Sequence, residues 1–341
     1  MSKSDVITLA HGNGGRLMRA LIEEVIAEEL DNPSLDVKSD AAIVDFESER
    51  LVMTTDGFTV QPLVFPGGSI GKLAVCGTVN DLAVAPAKPV YLSLNVIVEE
   101  GVTIELFQRV IHDVGESARE AEVRIVTGDT KVVPKGQAGG IYLVTTGVGI
   151  PSRGSGASDF GIETIVDGDR LLISGPIGDH GAAVMLAREE FGLSGNLRSD
   201  CANIFPLVNS ISDLDGLRFL RDPTRGGLAT VANEVSKCSG MNVILEESLV
   251  PIRPEVRSVC EILGFDPYYL ACEGRVLAVA SPEASDIILS HWRTLEQGAQ
   301  AACIGEIAVN EIGNSLVRLT TNLGGERILD ELEQEPLPRI C

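Results

Sequence analysis

Hydrophobic and polar positions follow two different periods along the chain, and each period predicts a different kind of element. Short apolar, β-branched runs bounded by turn residues predict strands, while apolar residues three and four apart predict helices. In the first half, strands are expected at Ala42–Phe46, Leu51–Thr54, Tyr91–Val98, Val123–Thr127 and Ile141–Val148. Helices are expected at Arg16–Leu30, Ser69–Ala85 and Ile104–Ala121, and Thr103 is a suitable N-cap for the last of these.

The segment Pro151–Ser158 is rich in serine and glycine and reads as a linker. After it the same alternation begins again, with expected elements at Arg170–Ser174, Asp179–Glu190, Leu228–Lys237, Asn242–Leu245, Glu255–Leu263, Val276–Ala280 and Glu283–Trp292. The pattern predicts an α/β (α+β) protein with two halves of similar size. We place the domains at residues 1–155 and 156–329, followed by a flexible tail at residues 330–341.

Composition narrows the class of function. The chain has 341 residues and a formal net charge of −22, which disfavours binding to nucleic acid or to an anionic membrane because phosphate groups would be repelled. Nucleotide binding stays possible, since it needs only local cations and backbone amides. The seven cysteines form no C-x-x-C pair, so we expect neither structural zinc nor a disulfide framework. With no signal-like N-terminus and no apolar run of membrane-spanning length, we expect a cytoplasmic protein.

Five aspartates stand in apolar or glycine-rich surroundings, several beside the end of an expected strand. They are Asp40, Asp56, Asp81, Asp129 and Asp222. Taken singly, each could be a turn former or a helix cap. Together they favour a site for Mg²⁺ and a nucleotide, because Mg²⁺ takes a few protein oxygens together with phosphate oxygens. We assign Asp40, Asp56, Asp81 and Asp222 as metal ligands.

Glycine-rich segments precede two of the expected helices. His11-Gly12-Asn13-Gly14-Gly15-Arg16 leads into the first, and Asp222-Pro223-Thr224-Arg225-Gly226-Gly227 leads into the helix at Leu228. Backbone N–H groups at such an entrance can bind phosphate, although neither segment matches an established phosphate-binding fingerprint and the first could be a simple turn. We assign Gly14, Gly15, Thr224, Arg225, Gly226 and Gly227 to nucleotide binding, with Gly128 and Asp129 from the segment Val126–Asp129.

Three charged residues could take part in proton transfer. Glu273 directly precedes the expected apolar strand Val276–Ala280, where burial would raise its pKa towards that of a useful base. An ion pair with Arg275 is the alternative role. Lys131 and Lys135 follow Asp129 closely, and either could stabilise developing negative charge or could simply be an exposed loop residue.

The chain ends at Cys341, after an acidic stretch and two prolines. Pro336 and Pro338 disfavour a helix and favour an extended arm, which from Asp330 could span up to roughly 40 Å. A terminal thiol on such an arm could enter an active site of its own or of another molecule. A frayed terminus with an incidental cysteine is the alternative.

The motifs quoted above resemble those of the HypE family of hydrogenase maturation proteins over essentially the whole chain. This family groups with aminoimidazole ribonucleotide synthetase, selenophosphate synthetase and thiamine-monophosphate kinase. The aspartate motifs are common to that superfamily, whereas Pro338-Arg339-Ile340-Cys341 together with Thr127-Gly128-Asp129-Thr130-Lys131 is typical of HypE. The resemblance implies a homodimer in which the N-terminal domains share a β-barrel, with an α/β sandwich as the C-terminal domain.

The resemblance also implies an activity. A carbamoyltransferase, HypF, would load a carboxamide onto Cys341, and ATP with Mg²⁺ would drive its dehydration to a thiocyanate. The cyanide would then pass to iron on a HypC–HypD scaffold for the [NiFe] centre. Glu273 would act as base and Lys131 or Lys135 would stabilise charge on the oxygens.

Two rival functions use only part of this set of residues. A kinase or synthetase of the same superfamily, acting on a free small molecule, would need the aspartates but not Cys341. A non-catalytic carrier of sulfur or cyanide would need Cys341 but neither the five aspartates nor the two glycine-rich loops.

Overall fold

The structure is a computed structural model, and it describes residues 6–12, 16–35, 37, 41–42, 44–152, 160–188, 195–310 and 313–331. Four of the assigned site residues lie outside these ranges: Gly14, Gly15, Asp40 and Cys341. Most of the expected linker and nearly all of the expected tail lie outside them as well.

The first half builds a four-stranded sheet with the strand order β1-β6-β4-β5. Its elements are α1 (Arg16–Leu21), α2 (Ala27–Glu29), β1 (Val52–Phe58), β2 (Val64–Phe65), β3 (Gly68–Ser69), α3 (Ile70–Val84), β4 (Ala87–Glu99), α4 (Ile104–Glu120), β5 (Arg124–Val133) and β6 (Ile141–Pro151). A π-helical segment, Ile22–Ile26, joins α1 to α2. Strands β4 and β5 are parallel, and the other neighbours are antiparallel.

The second half builds a seven-stranded sheet with the order β13-β12-β9-β11-β7-β10-β8. Its elements are β7 (Arg170–Ile173), α5 (Asp179–Ala187), α6 (Phe205–Asn209), β8 (Leu217–Arg221), α7 (Gly227–Ser239), β9 (Asn242–Glu246), α8 (Pro254–Leu263), β10 (Leu277–Ala280), α9 (Pro282–Trp292), β11 (Ala302–Ala308), β12 (Val317–Thr320) and β13 (Glu326–Ile328). A 3₁₀ turn, Pro267–Tyr269, lies between α8 and β10.

Helices cover both faces of this second sheet. Leu171 and Ile173 of β7 belong to the core that contains α7, whereas Leu172, between them, belongs to the core that contains α6 and α9. Since side chains of a strand alternate between faces, β7 and its neighbour β10 are buried on both sides and read as continuous apolar runs. The protein is therefore a mixed α/β molecule with a sandwich in its second half.

Helix α3 lies at the centre of the molecule and links the two halves. Nearly all of its side chains are buried, so it carries no amphipathic stripe. Its small residues permit close contact: a Cβ on Gly71 would lie 2.3 Å from the carbonyl oxygen of Val110 in α4. Ser69 caps the helix by accepting a hydrogen bond from the Lys72 N–H. This packing fixes the C-terminal turn of α3, which carries Asp81, against both domains.

Most of the predicted helices and strands are confirmed, with ends shifted by a few residues. The main error is Ala42–Phe46, whose described residues form no strand. The sequence pattern does not predict the strands β2, β3, β8, β11, β12 and β13 or the helix α6. Asp56 and Asp129 lie inside β1 and β5 and not beyond their ends, because both strands run further than their apolar runs. Among the described residues, no helix is long and apolar enough to cross a membrane.

Candidate active site

Three of the predicted metal ligands line one small cleft between the two halves of the molecule. Asp56 comes from β1, Asp81 from the last turn of α3, and Asp222 from the residue directly after β8. Thr54, two residues before Asp56, donates a hydrogen bond from Oγ1 to Asp81 Oδ2 over 2.9 Å and so ties the strand to the helix. Strand, helix and loop thus direct carboxylates from distant parts of the sequence to one place.

The cleft concentrates negative charge in a partly dehydrated place. Burial raises the pKa of Asp81, and the nearby Asp56 raises it further, while the hydrogen bond from Thr54 opposes the shift. Burial raises the pKa of Asp222 to about 7, with further contributions from Asp81 and Asp56. Carboxylates that repel one another in this way are suited to receive a cation, because the cation removes the repulsion.

Glu273 lines the same cleft and is 3% exposed. Burial, followed by the charges of Asp222 and Asp200, holds its pKa well above the usual range. The ion pairs found for Arg275 run to Asp179 and Asp200, so the alternative role proposed for Glu273, as partner of Arg275, has no support in the geometry. A buried carboxyl with a raised pKa, open to a cleft, is suited to accept a proton.

The loop Asp222–Gly227 forms the rim of the cleft on the side of α7. Thr224 and Arg225 line the cleft, and the Gly227 N–H donates to the Thr224 carbonyl oxygen over 2.9 Å. Gly226 and Gly227 have φ angles of +72° and +58°, a region that favours glycine. A Cβ on Gly227 would lie 2.5 Å from the Leu270 carbonyl oxygen. These two glycines therefore let the loop turn sharply into α7 against the segment that leads to Glu273.

The remaining assigned residues lie elsewhere on the first sheet. Gly128, Asp129 and Lys131 belong to β5, and Lys135 follows it; Asp129, Lys131 and Lys135 are exposed. Strand β5 and strand β1 are opposite edges of the sheet, with β6 and β4 between them. Three strand spacings amount to about 14 Å. Within one chain these residues are therefore not brought to the carboxylate cleft.

Strand register also puts Lys131 on the face of the sheet opposite to Asp56. Asp56 is opposite Thr145, whose hydroxyl donates to the Ala74 carbonyl oxygen of α3 over 3.2 Å, so Asp56 lies on the helix-covered face. Lys131 pairs with Ile97 of β4, and Ile97 pairs with Tyr142 of β6. Tyr142 is three residues from Thr145 and therefore lies on the other face, where Ile97 and Tyr142 are only half-buried. Directly paired residues of neighbouring strands share a face.

The donor set fits Mg²⁺ only together with a phosphate ligand. Among the described residues, no group of three or more His, Cys, Asp or Glu side chains is arranged to hold a metal ion. Mg²⁺ is commonly bound by one or two carboxylates, water and substrate phosphates, and this cleft offers carboxylates of that kind. Thr224 and Arg225 supply a hydroxyl and a cation at its rim for phosphate oxygens.

The last described residues are held by α7 and by the turn Pro267–Tyr269. Leu329 is buried, and its carbonyl oxygen accepts a hydrogen bond from Asn233 of α7 over 2.9 Å. The Tyr269 hydroxyl donates to the Asp330 carbonyl oxygen over 2.8 Å, and Lys237 pairs with Glu331. Residues 329–331 therefore lie beside α7, which begins at Gly227, and beside the turn Pro267–Tyr269, which precedes Glu273.

Two residues near the cleft were not assigned from the sequence. Asn80 directly precedes Asp81 in α3. A polar residue expected to be buried near the end of a helix of small residues was the sequence signal that could have identified it. Asp200 lies in the segment after α5, which has no recognisable motif or periodicity. Both hold the main chain around Glu273, and only the folded arrangement shows it.

Comparison with known proteins places this geometry in a family. Residues 38–151 match the AIR synthase related protein, N-terminal domain, and residues 166–315 match the corresponding C-terminal domain. A protein of Bradyrhizobium diazoefficiens named carbamoyl dehydratase HypE is 43% identical over 341 residues, covering 99% of this chain and 97% of the relative.

Solved structures agree in fold over nearly the whole chain. A crystal structure of the hydrogenase maturation protein HypE in complex with ATP has a TM-score of 0.92 and 40% identity, covering 98% of this chain and 99% of that one. A crystal structure of a HypE–HypF complex contains a chain with a TM-score of 0.78 and 42% identity, covering 92% of this chain and 100% of that one.

Proposed function

This chain belongs to the HypE family of AIR synthase related proteins, and from that premise we propose how it acts in hydrogenase maturation. It is a carbamoyl dehydratase that uses ATP to convert an S-carboxamide on its own Cys341 into a thiocyanate. The observation that carries the proposal is the meeting of Asp56, Asp81 and Asp222 with the buried Glu273 in one cleft. Phosphoryl transfer and proton removal could then occur at one place.

Dehydration of a carboxamide requires both phosphoryl transfer and proton removal. The carboxamide oxygen is a poor leaving group, so the γ-phosphoryl group of ATP is first transferred to it and ADP is released. Loss of the two N–H protons and departure of phosphate then leave a carbon–nitrogen triple bond on sulfur. The products are thiocyanate, ADP and inorganic phosphate, and no oxidant or reductant is needed.

The chain's own residues divide this work. Glu273 accepts a proton from the carboxamide nitrogen, for which its raised pKa suits it. Asp56, Asp81 and Asp222, with Asp40, would hold Mg²⁺, which would neutralise the phosphate charge. The residues proposed to bind the nucleotide through the main chain or short side chains are Gly14, Gly15, Gly128, Asp129, Thr224, Arg225, Gly226 and Gly227. The ATP complex of the related HypE supports nucleotide binding.

Lys131 and Lys135 would stabilise negative charge on the oxygens, and this role requires a second copy of the chain. In one chain Lys131 lies on the face of the first sheet opposite to Asp56 and on the opposite edge strand. That face is only half-covered, and Met53 on it is 64% exposed. Packing two such faces together in a homodimer would cover them and could bring Lys131 of one chain towards the cleft of the other.

The proposed partners follow from the same reaction. HypF would supply the carboxamide, and the HypE–HypF complex formed by a relative supports this pairing. A HypC–HypD complex would accept the cyanide on iron. Ten residues follow Glu331, the last of them Cys341, and fully extended they could span roughly 35 Å to visit each site.

Intact-mass measurement of the full-length protein with HypF, a carbamoyl donor and ATP tests the proposal. Wild type is expected to carry the mass of one nitrile on Cys341. Glu273→Gln, which keeps the shape but cannot accept the proton, is expected to stop with the mass of one carboxamide. Cys341→Ser is expected to acquire neither, because a hydroxyl is a much weaker nucleophile than a thiolate.

Two results would contradict the proposal. Nitrile formation at the normal rate in Glu273→Gln would mean that another residue, with Lys135 the next candidate, removes the proton. Unchanged, substrate-dependent ATP turnover in Cys341→Ser would favour the rival function, a small-molecule kinase with an incidental cysteine.

A further inference from the structure

The main chain at Glu273 and Gly274 is held from two sides by hydrogen bonds. On one side, Asp200 accepts two hydrogen bonds, from the Glu273 N–H to Oδ1 over 3.2 Å and from the Gly274 N–H to Oδ2 over 3.3 Å. The Asp200 side chain is fully buried and lies 3.4 Å from Nε of the buried Arg275.

On the other side, the Glu273 carbonyl oxygen accepts from Asn80 Nδ2 over 3.2 Å and from the Ala202 N–H over 3.3 Å. Asn80 is 1% exposed and uses both ends of its amide. Nδ2 also donates to the Ala202 carbonyl oxygen over 3.0 Å, and Oδ1 accepts from the Ile204 N–H over 2.9 Å. The three hydrogen bonds of Asn80 cross from α3 to the second half of the molecule.

Close packing leaves this peptide little room to move. A Cβ on Gly274 would lie 1.8 Å from the Asp200 carbonyl oxygen, so the two main-chain segments are in direct contact. Asp81 follows Asn80 in α3 and lines the carboxylate cleft together with Glu273. One turn of α3 therefore carries both Asp81, which lines the carboxylate cleft, and Asn80, which holds the main chain of Glu273.

We propose that Asn80 and Asp200 are positioning residues for the dehydration step, which fix the main chain of Glu273 from two sides. The inference rests on the proposed role of Glu273 as the base. A base must lie within hydrogen-bonding reach of the nitrogen that it deprotonates, and a displacement of about 1 Å can lower a rate by roughly two orders of magnitude. Neither residue needs to touch the carboxamide.

The test uses single-turnover conversion of the carbamoylated full-length protein, with ATP concentration varied. Asn80→Ala, Asp200→Asn and Asp200→Ala are compared with wild type. We expect the maximal rate to fall about 10- to 100-fold while the apparent KM for ATP changes less than about threefold, because ATP is bound by other groups. Asp200→Asn keeps one acceptor and should lie between wild type and Asp200→Ala.

Asn242→Ala is the matched control. Asn242 is also buried, its Oδ1 accepts the Leu316 N–H over 3.0 Å, and two strands separate β9 from β10. It should lose stability by a comparable amount and keep the maximal rate. If Asn80→Ala does not fold, the comparison of Asp200→Asn with Asp200→Ala still tests the positioning role.

The outcomes separate this inference from the proposed function. Absence of nitrile in wild type, or full activity in Glu273→Gln, would refute the proposed function or the role of Glu273. A stalled Glu273→Gln combined with wild-type rates in folded Asn80→Ala and Asp200→Asn would overturn the positioning role alone. A rise in KM equal to the fall in rate would overturn it too, since the residues would then serve ATP binding.

Discussion

Asp222 shows how a single side chain connects stability with function. It is buried beside two other carboxylates, and its pKa is raised to about 7 from an ordinary value of 3.8. Below about pH 4 the carboxyl is protonated in both the folded and the unfolded chain. Between about pH 4 and pH 7 the unfolded chain releases this proton while the folded, metal-free chain retains it. Stability therefore decreases as pH rises through this range, by about 4 kcal/mol at most.

Asp222→Asn is accordingly expected to stabilise the metal-free protein while abolishing Mg²⁺-dependent ATP hydrolysis. The gain in the free energy of unfolding relative to wild type should be small near pH 4 and should grow to as much as about 4 kcal/mol near pH 8, because the amide cannot ionise. Chemical denaturation in the presence of a chelator, at several pH values, measures this difference.

Asp286→Asn, at an exposed position of α9, is the control and should show no such trend. A stability difference for Asp222→Asn that does not change with pH would contradict the raised pKa. Wild-type ATP hydrolysis in the same variant would contradict the assignment of Asp222 to the metal site.

At the scale of the elements, the site depends on sharp turns between helices and strands. The loop Asp222–Gly227 and the segment before Glu273 are tied together by a hydrogen bond from the Cys272 N–H to the Pro223 carbonyl oxygen over 3.0 Å. Gly227 lies directly against the turn Pro267–Tyr269 and Leu270. A substitution that disturbs this contact should therefore displace both the loop Asp222–Gly227 and the segment that precedes Glu273.

Gly227→Ala and Gly264→Ala form a matched pair of substitutions. Both glycines have positive φ angles, +58° and +73°, so alanine costs about 1 kcal/mol at either position. At Gly264 nothing lies within 4 Å of a Cβ, whereas at Gly227 the Leu270 carbonyl oxygen is 2.5 Å away. Overpacking should raise the loss at Gly227 to about 3 kcal/mol and also weaken ATP binding.

Denaturant titration and calorimetric ATP binding measure the two effects. Gly264→Ala should bind ATP like wild type. Equal losses of stability and unchanged ATP binding in both variants would show that the close contact at Gly227 does not shape the site.

The sequence was informative where local pattern and fold agree. Helix Ile70–Val84 and the strands around it follow from apolar runs, and the choice of Asp56, Asp81 and Asp222 follows from their apolar or glycine-rich settings. Ala42–Phe46 has the composition of a strand, but strand formation needs a partner that composition does not reveal. Asp200 carries no local signal, because its role consists of contacts with a peptide 73 residues away along the chain. That Lys131 and Asp56 occupy opposite faces depends on register, which single-sequence patterns do not determine.

At the scale of the whole molecule, one face of the first sheet at β1 and β6 is covered by no helix of the described residues. On β1 and β6 this face presents Met53 beside Val148 and Thr55 beside Thr146, all at least partly exposed. The opposite face is covered by α3. An apolar, half-exposed sheet face of this kind is typical of a surface that another chain covers. It is also the face that carries Lys131, which the proposed reaction needs near the carboxylates.

Met53→Glu tests whether a second copy covers this face. We expect wild type to be a dimer at low micromolar concentration and the variant to be largely monomeric, because a charge buried between two copies costs several kcal/mol. Sedimentation or light scattering gives the mass, and ATP turnover should fall together with dimer content because Lys131 would no longer reach the partner's cleft. Leu323→Glu is the matched control: Leu323 is 98% exposed at the β12–β13 turn of the other domain, so dimer and turnover should both persist. A wild-type monomer, or a Met53→Glu monomer with full turnover, would show that one chain completes the site by itself.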